Sequence, residues 1–190
     1  MINEMSEFEF VAVLISMVVG LGITQLLRGV AQAVHDRGAA KLDSAHLAWT
    51  ASVFLVMVLN WWVLFSWRTH QTWSFATFLL LIIWAVSLYL MVVFLYPPRK
   101  DAGEGWREVY AGNRQWFLSS FLALTLTDIW LTGIRSGLMD PPAYLPYVGH
   151  YALLLLVGLF VQRRGYHQFL AWYFLATLLA WSLIVRRFLT

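Results

Sequence analysis

The fold is decided by an apolar segment that carries two ionisable residues, Leu124-Thr-Leu-Thr-Asp-Ile-Trp-Leu-Thr-Gly-Ile-Arg135. A helix turns by about 100° per residue, so Asp128 and Arg135, seven positions apart, lie within about 20° of alignment. Thr125 and Thr132 fall on the same side. An ionisable group inside a bilayer costs at least a few kcal/mol unless it faces protein or water. The pattern therefore predicts a membrane helix with one polar stripe, in which Asp128 is the leading functional candidate.

The composition of the whole chain is typical of integral membrane proteins. Of 190 residues, 61% are hydrophobic and only 12% are charged, and the mean hydropathy is +0.68. Soluble domains are roughly half apolar and a quarter charged, so this chain has more apolar surface than its own core can bury. The pI near 9.4 does not indicate nucleic-acid binding, because the basic residues flank apolar spans and can set orientation. The chain contains no cysteine, which excludes disulfides and thiolate metal sites.

Apolar runs separated by short polar connections predict an all-α integral membrane protein, a single-domain bundle of six transmembrane helices. We expect these helices at about 7–37, 44–67, 72–96, 113–137, 147–162 and 166–187, with a short interfacial helix at 104–110. The first run lacks the basic start and short apolar core of a signal peptide, and we interpret it as a retained span. Its Gly22 and Gly29 share one face, where they allow a neighbouring helix to approach closely.

Capping residues, prolines and glycines predict where the helices begin and end. The expected starts are a capping box of Ser6 with Glu9, then Asp43 or Ser44, and later Asn113. The expected stops are Gly38, Pro97-Pro98 and Arg163-Arg164-Gly165, and a stiff turn is assigned to Asp140-Pro-Pro and Pro146.

Basic residues are unevenly distributed between the two sides of the predicted bundle. The connections after helices one, three and five carry nine lysines and arginines, whereas the opposite side carries four. Because basic loops stay in the cytoplasm, we expect both termini outside. The compactness of the chain favours a bacterial inner membrane.

The main predicted site combines two helices. Asn60 in the second helix and Asp128 in the fourth fall at similar depth in the outer half of the bilayer. One interpretation is a polar cavity opening outward, in which Asp128 binds an ion or proton beside Thr125 and Thr132, with Arg135 at its mouth. The other is a hydrogen-bond knot in which Asp128 only ties helices together.

A second polar group is predicted at the cytoplasmic end of the first two helices. Its members are Gln25, Arg28, Gln32 and His46, with Thr24 and His35 beside them. It either meets an anionic headgroup or a protein partner, or it holds a snorkelling arginine beside a glycine-assisted helix contact.

Histidines and tryptophans give less specific signals. The five histidines lie near predicted helix ends, where imidazole is easily hydrated, and no metal, haem or other cofactor is predicted from them. An aromatic belt at the interfaces accounts for six tryptophans, Trp49, Trp67, Trp73, Trp106, Trp116 and Trp172. The mid-depth tryptophans either pack between helices or line a pocket for a flat ligand or hydrated cation, and they are Trp61, Trp62, Trp84, Trp130 and Trp181.

Three functions remain open at the level of sequence. The first is a small channel or transporter that passes ions, protons or a small solute along the Asp128 stripe, alone or as a homo-oligomer. The second is a membrane interaction or sensing subunit whose polar residues specify packing. The third is a lipid-modifying membrane enzyme with Asp128 as acid or base. The lipid bilayer is the partner expected in every case.

Overall fold

The computed structural model describes residues 6–35, 43–69, 72–100, 104–138 and 143–184, and most of these residues are helical. In chain order the α-helices are α1 (Glu7–His35), α2 (Ser44–Leu64), α3 (Phe75–Leu95), α4 (Trp106–Arg135), α5 (Tyr144–Phe160) and α6 (Arg164–Ile184). A 3-10 helix, Phe65–Thr69, extends α2. Within these ranges the predicted all-helical architecture with six helices is confirmed.

Five of the helices are long and apolar enough to cross a membrane, namely α1, α2 with its 3-10 extension, α3, α4 and α6. The exception is α5, whose 17 residues reach about 25 Å at 1.5 Å per residue. Large apolar side chains stand on the outside of the bundle, among them Met17 at 61%, Leu21 at 63% and Phe160 at 78% exposed. So much exposed apolar surface is unusual for a protein surrounded by water.

Contacts between helix ends define the two ends of the bundle. The ring of His46, in the first turn of α2, lies 4.9 Å from that of Tyr96 after α3 and 5.2 Å from that of Trp106 at the start of α4. At the opposite end, Arg135 closes α4 and donates a hydrogen bond to Ser66, which follows α2. We call these the His46 end and the Arg135 end. The contacts show that α3 runs antiparallel to α2 and α4.

Close packing of α1 depends on two glycines. Gly22 and Gly29 are both buried. A side chain at Gly29 would overlap the ring of Tyr96, and one at Gly22 would meet the terminal methyl group of Met57. The prediction that these glycines let α1 approach its neighbours is therefore confirmed.

The predicted starts of α1 and α2 are also confirmed. The Ser6 N–H donates to the Glu9 carboxylate over 2.7 Å, and the Glu9 N–H donates to the Ser6 hydroxyl over 3.2 Å, which completes a capping box. Asp43 caps α2 by accepting a hydrogen bond from the His46 N–H over 3.3 Å. The expected stop at Gly38 and the expected turn at Asp140-Pro-Pro lie outside the described residues.

The start of α4 differs from the prediction. The helix begins at Trp106, so the segment expected as a separate interfacial helix at 104–110 supplies its first turns. Asn113 consequently lies inside the helix, where its amide donates to the Val109 carbonyl over 3.1 Å instead of capping a new span. Trp106 is buried, and burial of this first turn favours one continuous helix over an interfacial segment.

The two ends of α5 differ as well. Pro146 lies in its first turn, where a proline costs little because the N–H that it lacks would have no helical partner. The helix ends at Phe160, and Arg164-Gly165 opens α6 instead of closing α5.

Three of the tryptophans assigned to an interfacial belt are core residues. Trp49, Trp67 and Trp106 are at most 3% exposed, whereas Trp116 and Trp172 are more than half exposed. The belt assignment is wrong for the first three because the helix ends pack against one another through large rings. Depth along a helix does not say which side of the helix is buried.

Candidate functional site

A cavity between α2, α4, α5 and α6 is bordered by the predicted polar stripe. Its volume is about 120 Å³, which has room for several water molecules because one water needs about 10–15 Å³. Asn60 of α2 and Thr125 and Asp128 of α4 all line it. The structure therefore places three of the sequence-predicted site residues around one space.

The rest of this cavity surface is mostly aromatic. Tyr144, Tyr147 and Tyr151 contribute from α5 and Trp181 from α6. The Tyr147 and Trp181 rings are stacked, with their centroids 3.9 Å apart and their planes 11° apart. The described lining thus combines one carboxylate and one carboxamide with several aromatic rings.

Asp128 is held against α5 by a hydrogen bond. The hydroxyl of Tyr144, a buried residue, donates to Asp128 Oδ2 over 2.7 Å. Asp128 also borders a second, smaller crevice of about 10 Å³. Its carboxylate therefore stands between two spaces and contacts a neighbouring helix.

Arg135 lies in that smaller crevice together with Thr132, and not at the mouth of the larger cavity. Its Nη1 donates to the Ser66 hydroxyl over 2.9 Å, and its guanidinium carbon is 6.0 Å from the centre of the Trp67 ring. From Thr125 to Arg135 the helix rises about 15 Å at 1.5 Å per residue. Thr125 therefore borders the larger cavity, and Arg135 borders the smaller crevice. The sequence predicted one polar path along the stripe, but the stripe borders two spaces.

Aromatic rings close the larger cavity towards the His46 end. Phe121 and Phe174 line its floor, with their ring centroids 4.6 Å apart. Below them lies Trp49, whose ring centroid is 5.9 Å from that of Phe121 and 5.7 Å from that of Phe174. Phe117 packs on Trp49 at 5.1 Å. We call these four residues the aromatic layer, and they separate the cavity from the His46 end.

Two cavity tyrosines are fixed by bonds to α6. The Tyr147 hydroxyl donates to the Thr177 carbonyl over 3.3 Å, and the Tyr151 hydroxyl donates to the Thr177 hydroxyl. Sequence reasoning missed this role of α5. A signal was present, because Tyr144, Tyr147 and Tyr151 are spaced i, i+3 and i+7 and so share one helix face.

The second predicted polar group does not come together. Gln25 Nε2 donates to the Tyr96 carbonyl over 3.0 Å and so completes the end of α3. Arg28 and Gln32 are exposed on α1. Three of the four residues thus lie on one helix but point to different surroundings, which does not make a common site.

The fourth member of that group, His46, is buried. It is 1% exposed, and its ring contacts are with Tyr96 and Trp106. The Tyr96 hydroxyl and the Thr50 hydroxyl are hydrogen-bonded over 2.9 Å. Burial raises the pKa of Tyr96, so this phenol stays neutral. His46 is therefore packed in an aromatic core and does not join Arg28 and Gln32 at the surface.

His167 is also buried, although a hydrated position near a helix end was expected. Its Nε2 pairs with the Val161 carbonyl over 2.8 Å and its Nδ1 with the Tyr110 hydroxyl over 3.2 Å. Because a carbonyl only accepts, the ring proton is on Nε2 and Tyr110 donates to Nδ1. This imidazole donates a hydrogen bond to the Val161 carbonyl just after α5. The sequence had predicted that Gly165 would end this helix.

The mid-depth tryptophans divide into inner and outer residues. Trp181 lines the cavity, and Trp84 lines the smaller crevice with Asp128 and Arg135. Trp61, Trp62 and Trp130 are exposed on the outside of the bundle.

Fold and site together define a helical bundle with a cavity between four of its helices, in which a carboxylate borders an aromatic surface. Comparisons with protein-family models, with curated proteins and with solved structures found no match. Function therefore has to be inferred from the chemistry of the cavity.

Proposed function

We propose that this chain is a multi-pass membrane protein that binds a small solute or cation in the Asp128 cavity and passes it across the membrane. Five helices of membrane-spanning length and apolarity support the membrane setting, as does the apolar outer surface. The observation that carries the proposal is that Asp128 and Asn60, from different helices, line one cavity. Ionisable residues within membrane spans are rare and commonly mark substrate or ion pathways.

The aromatic layer favours a transporter over an open channel. A channel needs a continuous path, whereas a transporter exposes its site to one side at a time. Here Trp49, Phe121 and Phe174 lie across the route to the His46 end. Release in that direction requires these rings to separate. With both termini outside, as the basic residues favour, the cavity lies towards the outer face.

A second candidate is a membrane interaction or sensing subunit, and the hydrogen bonds of the stripe favour it. Tyr144 and Asp128 join α5 to α4, and Arg135 joins the end of α4 to Ser66. Polar side chains that bond across helices stabilise membrane bundles without any transport. In this case Asp128 contributes stability and binds no solute.

Flux measurements in proteoliposomes separate the two candidates. The probes are protons, sodium, potassium and tetramethylammonium, applied to the wild type, Asp128→Asn and Asp128→Leu. Transport predicts flux of at least one probe in the wild type and its loss in Asp128→Asn, which keeps the shape and removes the charge. Glu108→Gln is the matched control, since Glu108 is an exposed carboxylate on the same helix. Thermal stability is recorded for every variant.

The interaction subunit predicts a different pattern. None of the four probes then moves through the wild-type protein. Asp128→Asn retains most hydrogen bonds and is tolerated, whereas Asp128→Leu is destabilised by about 1–3 kcal/mol because it removes the acceptor for the Tyr144 hydroxyl.

A further inference from the structure

We propose that Arg107, Arg114 and Arg163, at the His46 end of the bundle, bind the phosphate group of an anionic phospholipid. Arg107 and Arg114 belong to α4, and Arg163 lies in the turn between α5 and α6. None of the three is among the described lining residues of the Asp128 cavity. The proposal therefore depends on the membrane setting and not on transport.

Arg107 and Arg114 lie on the side of α4 that meets the turn between α5 and α6. They are seven residues apart, which places them within about 20° of each other around the helix. Tyr110 lies between them, and its hydroxyl is hydrogen-bonded to His167 Nδ1 over 3.2 Å. The charge of Arg114 acts on both Tyr110 and His167. Because the His167 N–H donates to the Arg163 carbonyl over 3.4 Å, the two arginines of α4 face the segment that carries Arg163.

These three arginines have positive charges that the described part of the chain does not pair. None of them forms an ion pair with a carboxylate among the described residues, whereas the neighbouring Arg164 pairs with Asp43. Arg107 and Arg163 are exposed. Arg114 is partly buried, and its Nε is buried without a hydrogen-bond partner. A buried charged donor without an acceptor is costly, which favours an acceptor from outside the protein.

The depth of Arg114 matches the phosphate level of a bilayer. Arg135 is the last residue of α4, and 21 residues separate it from Arg114. This separation is a rise of about 32 Å, and the hydrocarbon core of a bilayer is about 30 Å thick. With Arg135 at one surface of the core, Arg114 lies at the other, where the lipid phosphates begin. Exposed apolar side chains in the last turn of α5, Val157 and Phe160, offer a surface to the acyl chains.

The chemistry of arginine suits an anionic headgroup. A guanidinium presents its donors in a planar fork that matches two oxygen atoms of one phosphate. Several positive charges around that phosphate also repel a headgroup that brings its own ammonium group. Phosphatidylglycerol has a net negative charge, whereas phosphatidylcholine is neutral because its choline offsets the phosphate. We therefore expect the three arginines to select lipids by net charge, and not by the presence of phosphate alone.

Lipid binding by the purified chain in dodecyl maltoside tests the proposal. Native mass spectrometry measures the affinity for dioleoylphosphatidylglycerol, with dioleoylphosphatidylcholine as the matched neutral lipid. We expect phosphatidylglycerol to bind about tenfold more tightly or better, since each arginine near an anionic headgroup contributes to the attraction. Arg114→Gln should weaken its binding about tenfold or more, as loss of a hydrogen bond to a charged group does. Arg107→Gln and Arg163→Gln should each weaken it about two- to fivefold, as exposed basic residues do.

Arg28→Gln is the matched control, because Arg28 is an exposed arginine of α1 near the same end of the bundle. Its affinity for phosphatidylglycerol should equal that of the wild type. A loss as large as that in Arg114→Gln would show attraction by overall charge and would overturn the proposal. Equal affinities of the wild type for the two lipids would overturn it as well, and this comparison holds even where a variant fails to fold.

Two soluble competitors distinguish a lipid from other anions. Glycerol 1-phosphate carries a phosphate and no acyl chains, and hexaglutamate stands for an acidic protein segment. We expect phosphatidylglycerol to stay bound in the presence of an equimolar amount of either. Displacement by glycerol 1-phosphate would assign the three arginines to a soluble phosphate, and displacement by hexaglutamate would assign them to an acidic protein partner. Either displacement would overturn the lipid proposal and leave the proposed function intact.

Discussion

The hydroxyl of Tyr144 donates a hydrogen bond to Asp128 Oδ2 over 2.7 Å, which joins the first turn of α5 to α4. Both residues line the larger cavity. One contact therefore orients the carboxylate proposed to bind the solute and also fixes two helices against each other. Loss of the phenol hydroxyl should affect both properties.

Tyr144→Phe should lower the free energy of unfolding by about 1–2 kcal/mol. Hydrogen bonds to charged groups contribute about 1.5–3 kcal/mol in soluble proteins, but polar pairs in membrane bundles average about 0.6 and reach about 1.7 kcal/mol. Tyr147→Phe is the matched change, because its hydroxyl makes a longer bond of 3.3 Å to a neutral carbonyl. Unfolding in detergent is the measurement, and a larger loss for Tyr147→Phe would contradict the importance of the Asp128 contact.

The glycines of α1 should differ in their tolerance of a methyl group. Gly29→Ala should cost about 1–3 kcal/mol, as overpacking does, because the new atom would overlap the buried ring of Tyr96. Gly22→Ala should cost less, since its close contact is with the flexible end of Met57 and the Tyr89 Cα stands at an ordinary 3.7 Å. Gly20→Ala has open space around it and should be neutral or stabilising by up to about 1 kcal/mol through helix propensity. The same unfolding assay ranks the three, and equal effects at Gly29 and Gly20 would rule out the close contact.

The N-cap hydrogen bond of Asp43 should contribute more to stability than its ion pair with Arg164. Its carboxylate accepts from the His46 N–H and lies 3.3 Å from Arg164, whose side chain is 55% exposed. Asp43→Ala should cost about 0.5–2 kcal/mol. Asp43→Asn keeps an acceptor and should cost less than about 1 kcal/mol, the usual limit for an exposed ion pair. If the two variants lose equal stability, the ion pair and not the cap is the main contribution of this residue.

The orientation can be tested with single cysteines, because the chain contains none of its own. Thr72 and Arg163 are both exposed and follow α2 and α5. With both termini outside, an impermeant maleimide should label Thr72→Cys from the outside of intact cells. Arg163→Cys should be labelled only after the membrane is opened. The reverse pattern would place the cavity towards the cytoplasm.

Periodicity and composition were sufficient for much of this fold. The sequence predicted six helices, the capping box at Ser6 and Glu9, and the close approach at Gly22 and Gly29, because these features depend on local spacing and on residue size. It also predicted that Asn60 and Asp128 fall at similar depth, since rise per residue converts directly into depth.

The sequence could not predict which segments pack beside each part of the polar stripe of α4. The division between Thr125 and Arg135 arises because α5 packs beside one part of the stripe and the segment after α2 beside the other. His46 and Trp106 were assigned to hydrated or interfacial positions, yet they pack against each other. Such contacts between distant segments depend on tertiary packing and leave no periodic signal in the chain.

The most direct test of the central claim is the access of water to the cavity. Thr125 and Thr127 are both buried threonines on α4, and each donates to the carbonyl four residues earlier over 2.8 Å. Thr125 lines the cavity, whereas Thr127 is not among its described lining residues. A charged methanethiosulfonate reagent is applied to Thr125→Cys and Thr127→Cys in proteoliposomes, from each side in turn. We predict fast reaction of Thr125→Cys from the side of the Arg135 end alone, and slow reaction of Thr127→Cys. Equally slow reaction of both cysteines from both sides would show that the cavity is closed to water and that Asp128 is a packing group.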